Sequence, residues 1–170
     1  RAKGGSPGES VKQALPNSLL LMLYTQILAL LLAVPLGVIA AYRANSAFDK
    51  GVNILVFLGL SIPGFIVAFL LKKYLALDNA IFPESGWVSL GTSVSDHFRY
   101  AALPVFALTV SQVAVYFRLL RSDMISTLQE DFITMAKAKG LKPRRILFRH
   151  ALRPSSLTLL TVAGLNVGTL

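Results

Sequence analysis

The chain has 170 residues, 54% of them apolar and 15% charged, with a mean hydropathy of +0.62, whereas a soluble domain usually carries about 25% charged residues. A net charge of +9 would suit nucleic acid if the bases shared a soluble face. Here they lie between long uncharged runs, which points to a membrane protein with basic loops and no nucleic-acid partner. The absence of cysteine excludes disulfides, thiolate metal sites and cysteine nucleophiles.

In chain order, Arg1 to Ser10 is polar and Gly-rich, without the apolar core of a signal peptide. Ser18 to Tyr42 is an uncharged run of 25 residues, long enough at about 1.5 Å per residue to cross a hydrocarbon layer of about 30 Å. Pro35 and Gly37 inside it predict a bend. Gly51 to Leu71 is a second run, interrupted at Ser61-Ile62-Pro63-Gly64, where a proline removes a backbone donor and predicts a broken or bent helix. Tyr100 to Phe117 is a third, with Pro104 near its start, and Ser155 to Leu170 begins a fourth. Both ends read as cut, so the expectation is an all-α, polytopic transmembrane bundle, a fragment with about four spans in a single domain over 1–170.

Basic residues in the connections set the expected orientation. The segment Arg118 to Arg153 holds Arg118, Arg121, Lys137, Lys139, Lys142, Arg144, Arg145, Arg149 and Arg153 against Asp123, Glu130 and Asp131, and it should face the cytoplasm. Lys72 to Arg99 is charge-balanced, carries Phe82 and Trp87, and should face outward. Alternation puts the turn from Arg43 to Lys50 inside and the N-terminal tail outside.

The long basic loop, 121–154, reads as helix, stop, helix. Asp123 to Lys139 places Met124, Ile125, Leu128, Phe132, Met135 and Ala136 at helical spacings on one face. Glu130 and Asp131 suit the start of a helix dipole and Lys137 and Lys139 its end. Gly140 suits a C-terminal cap, and Pro143 the first turn of a following helix. Such a segment either rests on anionic membrane lipid as a basic amphipathic helix or docks a cytoplasmic partner. In the second reading the small residues Ala136, Ala138 and Gly140 let a partner come close, while Phe132 and Met135 fill a pocket on it.

The run Glu130-Asp131-Phe132-Ile133-Thr134-Met135-Ala136-Lys137-Ala138-Lys139-Gly140-Leu141, followed by Arg149-His150-Ala151-Leu152-Arg153, resembles the EAA loop of ABC importer permeases. It is most similar to the dipeptide/oligopeptide/nickel version. Asn45 to Asp49, Ser61 to Phe65, Phe82 to Gly86, Leu103-Pro104 and Arg118 to Ser122 resemble further family landmarks in family order, so the likeness covers about residues 15–170. Thr134-Met135-Ala136 stands where the general consensus has Glu-Ala-Ala, as expected of peptide-type members. Pro154 stands where the family often has Asn.

The resemblance implies a permease subunit in a prokaryotic cytoplasmic membrane, paired with a second, similar permease. It implies two cytoplasmic ATPase subunits that use ATP and Mg, an extracytoplasmic solute-binding protein, and a coupling helix over Glu130 to Gly140 that sits in a cleft on an ATPase.

The chain shows no chemistry of its own. Gly59 and Gly64 have the glycine spacing of a phosphate-binding loop, but Phe65-Ile66 stand where Lys-Ser/Thr is required. His97 and His150 have no partners at metal-ligand spacing, so no catalytic or metal residue is assigned and no cofactor is expected on this chain. Candidates for a transport pathway are Thr25 and Gln26 in the first span, Ser61, Pro63 and Gly64 in the second, and Thr109, Ser111 and Gln112 in the third. The same residue types also pack helices together. No acidic residue lies inside the expected spans, which argues against an ion-coupled secondary transporter. A membrane scaffold or channel with a lipid-binding loop is the other reading.

Overall fold

The computed structural model describes residues 7–166, and every regular element within that range is helical. The parts of the expected N-terminal tail at 1–6 and of the fourth run at 167–170 lie outside the described residues. Helix α1 spans Pro7–Tyr42 and α2 Ala47–Ser61; α3, Gly64–Leu71, is continued by a π-helical stretch over Lys72–Asp78. Helix α4 spans Val94–Leu128, α5 Asp131–Ala138 and α6 Pro143–Arg145; a π-helical stretch over Ile146–Ala151 leads into α7, Leu152–Asn166. Two helices among the described residues are long and apolar enough to cross a membrane, Leu15–Tyr42 within α1 and the whole of α4. The pair α2 and α3 forms a third candidate, bent by 93° at its break.

The break falls where the proline predicts it. Ile62 and Pro63 are extended, and Pro63 caps α3 without a side-chain bond. The bend expected at Pro35 and Gly37 does not break α1, which runs as one helix through Pro16 and Pro35. Gly37 instead lets α1 and α4 approach closely, since a Cβ there would lie 3.2 Å from Leu120 Cδ2.

Helices α1 and α4 form the central contact of the bundle and run in the same sense, with Tyr24 in the middle of α1 beside His97 at the start of α4 and, further along both helices, Gly37 against Leu120. Helix α7 runs back along α4, Thr127 meeting Ser155 and Gln112 meeting Asn166. The core joins Ala29, Ala33, Val38 and Ala41 of α1 to Ala114, Tyr116, Phe117, Leu120 and Met124 of α4, and to Leu159 and Ala163 of α7. The alanines on α1 let the larger α4 side chains close the gap. Outward faces of α1, α2 and α3 stay apolar, including Leu31, Leu55, Phe65 and Phe69, as lipid or a protein neighbour requires.

Two expected boundaries move. The third span does not stop at Phe117, because α4 continues to Leu128 and absorbs the first residues of the expected 121–154 loop. The second span begins at Ala47 and takes in Asp49, so an acidic residue does lie within a helix of the membrane bundle.

Candidate functional site

The end of the bundle that carries the basic residues is built around α5. Asp123 to Lys139 is not the single amphipathic helix its periodicity suggests. Helix α4 ends at Leu128, Glu130 is extended, and α5 starts at Asp131. Met124 and Ile133 are nine residues apart, which at about 100° per residue would put them on opposite faces of one continuous helix. Both are fully buried, Met124 in the bundle core and Ile133 against Ala136 and Ile146. The break at Gln129-Glu130 lets both point inward.

The face of α5 is therefore rotated from the expected one. Ile133 and Ala136 anchor the helix, with Leu128 and Leu141 packed beside them. Ala136 thus serves packing inside this chain. Phe132 and Met135 are 46% and 59% exposed, and Glu130, Asp131, Lys137, Ala138 and Lys139 are exposed as well. Asp131 in the first turn and Lys137 in the last complement the helix dipole. Gly140 has φ +73°; its N–H donates to the Lys137 carbonyl at 3.0 Å and the Leu141 N–H to the Ala136 carbonyl at 3.2 Å, the paired bonds of a Schellman cap. Pro143 opens α6 as expected. A cleft of about 460 Å³ separates this unit from the α1–α2 turn, with Tyr42 and Ala44 on one side and Lys137, Leu141 and Pro143 on the other.

The pathway candidates fall into three groups. Thr25 and Thr109 are buried within the chain and reach no open surface. Ser61, Pro63 and Gly64 are exposed at the break, where the Ser61 hydroxyl donates to the Phe57 carbonyl at 2.8 Å; Ser111 of α4 lies opposite Gly64, 3.9 Å from where a Cβ would stand. Gln26 and Gln112 join a polar network between α1, α4 and α7. The Tyr116 hydroxyl donates to Gln26 Oε1 at 2.9 Å, and Asn166 Nδ2 donates to Gln112 Oε1 at 3.2 Å and to Tyr116 Oη at 3.3 Å. Such bonds satisfy polar groups that lipid cannot. Sequence reasoning missed Tyr116 and Asn166.

It named Asp49 and His97 but gave neither a structural role, and both are buried polar residues that tie elements together. Asp49 is 2% exposed and pairs with Arg121 of α4 at 2.6 Å. Arg121 lies in the α4 register of Phe117 and Met124, and a charge set into that apolar stripe was the available signal. At the opposite end, buried His97 bonds through Nδ1 to the Val88 carbonyl at 2.6 Å and through Nε2 to the Tyr24 hydroxyl at 3.1 Å, with Trp87 edge-on to its ring.

The family of binding-protein-dependent transport system inner membrane components matches residues 33–170, a stretch that holds the broken helix, the α4–α5 break and the capped α5. The chain belongs to that family. It is 38% identical over 167 residues to the oligopeptide transport system permease protein AppB of Bacillus subtilis, covering 97% of this chain and 53% of the relative. It is 36% identical over 165 residues to the dipeptide transport system permease protein DppB of the same organism, covering 97% and 51%. To the oligopeptide transport system permease protein OppB of Salmonella typhimurium it is 38% identical over 138 residues, covering 81% and 43%. The chain spans about half the length of the curated relatives it matches. It is a multi-pass membrane protein of the transport-component class, and the family is one of transport subunits rather than enzymes.

Proposed function

We propose that this chain forms part of the translocation pathway of an ATP-driven importer for peptides or a related small solute in a prokaryotic cytoplasmic membrane. Helix α5 is the coupling element. The observation that carries this is its division of labour: Ile133 and Ala136 hold it to the bundle, while Phe132, Met135 and Lys139 are exposed. A short helix capped at Gly140 and exposed on its bulkiest side chains suits insertion into a cleft on a partner. The relatives described above are named as oligopeptide and dipeptide transport permeases, which supports the solute class.

On this reading the basic end is cytoplasmic, and two ATPase subunits that consume ATP and Mg dock there. A second permease completes the path, and a solute-binding protein delivers from the Trp87 side. Gln26, Ser61, Pro63, Gly64, Ser111 and Gln112 are the proposed pathway residues, and buried Thr25 acts as packing. The test is uptake of a labelled peptide into vesicles containing the complete transporter, with a cysteine at position 135 as a cross-linking probe. ATP-dependent uptake and a cross-link to the ATPase subunit are expected. Uptake that survives ATP depletion but collapses with an ion gradient would overturn the reading, as would a basic end that binds anionic vesicles and no ATPase.

A further inference from the structure

Asp49 sits where three parts of the chain meet. Its Oδ1 accepts from Arg121 Nε at 2.6 Å and from Asn53 Nδ2 at 2.8 Å; its Oδ2 accepts from Arg121 Nη2 at 2.6 Å and from the Asn45 N–H at 2.8 Å. Four donors thus fill the carboxylate. The Ser46 hydroxyl caps α2 by accepting from the Asp49 N–H at 3.2 Å, and Asn45 holds the turn at φ +66°. One side chain thereby joins the α1–α2 turn, the first turns of α2 and the last third of α4. One step further along, Arg118 of α4 lies over the Phe57 ring of α2, 5.1 Å from its centroid.

The position of this junction matters for motion. Helix α5 follows directly from the end of α4, and the approximately 460 Å³ cleft keeps the α1–α2 turn away from α5. At this end α2 is fastened to α4 through Asp49 and Arg121, and at its other end it runs into the 93° break before α3. Apolar helix contacts can slide past one another. A two-pronged guanidinium–carboxylate pair fixes distance and orientation together, and breaking it would leave the buried Asp49 carboxylate without its cation.

We propose that Asp49 and Arg121 are positioning residues that make α2 move with α4, so that displacement of α5 reaches the broken Ser61–Gly64 segment. This rests on the coupling role proposed for α5. The pair stays closed and acts as a rigid strut.

The experiment uses the complete reconstituted transporter and reads ATP hydrolysis and peptide uptake in parallel. In Arg121→Lys the charge remains but the fork is lost, and the double variant Asp49→Leu with Arg121→Met removes both charges while keeping bulk. Both variants are expected to assemble with the ATPase subunits and hydrolyse ATP, while peptide taken up per ATP falls on the order of tenfold. Unchanged uptake per ATP in the double variant would overturn the proposal, and so would loss of assembly in both variants, which would make the pair purely structural. If the wild-type transporter shows no ATP-dependent uptake, the reading of α5 fails instead, independently of the variants.

Discussion

The backbone N–H of Leu141 donates to the carbonyl of Ala136 at 3.2 Å across Gly140, whose φ of +73° makes the bond possible. A Cβ at Gly140 would meet nothing within 4 Å, so substitution there is resisted by backbone conformation and not by crowding. Gly140→Val should cost about 1–2 kcal/mol at the cap, whereas Gly140→Asn, which tolerates the left-handed region, should cost less. Peptide uptake by the reconstituted transporter should fall in the order Gly, Asn, Val, with membrane insertion unchanged. Equal uptake by all three would remove the cap from the coupling mechanism.

Ile133 and Phe132 are neighbours in sequence with opposite duties. Ile133→Ala should loosen α5 by about 2–4 kcal/mol, because it empties a fully buried site. Phe132→Ala leaves the bundle's thermal stability in detergent nearly unchanged but weakens ATPase co-purification. A marked loss of stability in Phe132→Ala would show that its ring packs on this chain after all.

Tyr116 places its hydroxyl between Gln26 and Asn166. Tyr116→Phe keeps the ring and removes the hydroxyl, so unfolding in detergent should become easier by about 1–2 kcal/mol. Gln26→Leu alone should cost a similar amount, and the double variant less than the two together, since both changes break one network. Strict additivity would show that the 2.9 Å contact contributes nothing.

Because the chain has no cysteine, single introduced cysteines report topology cleanly. Residues 90 and 139 are both exposed, at opposite ends of the bundle. A cysteine at 139 should react only with a reagent admitted to the cytoplasmic side, and one at 90 only with reagent applied outside. The reverse pattern would invert the proposed orientation.

Local rules made much of this molecule legible before folding was considered. Uncharged runs of membrane length marked α1 and α4, Pro63 marked the break, and Gly140 with Pro143 marked the end of α5 and the start of α6. Each follows from composition or from one residue's backbone restrictions, which neighbours in sequence suffice to define. Periodicity failed over Asp123 to Lys139, because one apolar stripe cannot reveal that Met124 and Ile133 are buried on opposite sides of a break. Only the packing of Ile133 on Ile146, thirteen residues away, decides which face of α5 stays open. The same holds for Asp49 with Arg121 and for Gln26 with Tyr116, separated by 72 and 90 residues. A charge or amide in an apolar setting announces that it needs a partner, but which partner depends on how helices distant in sequence are laid side by side.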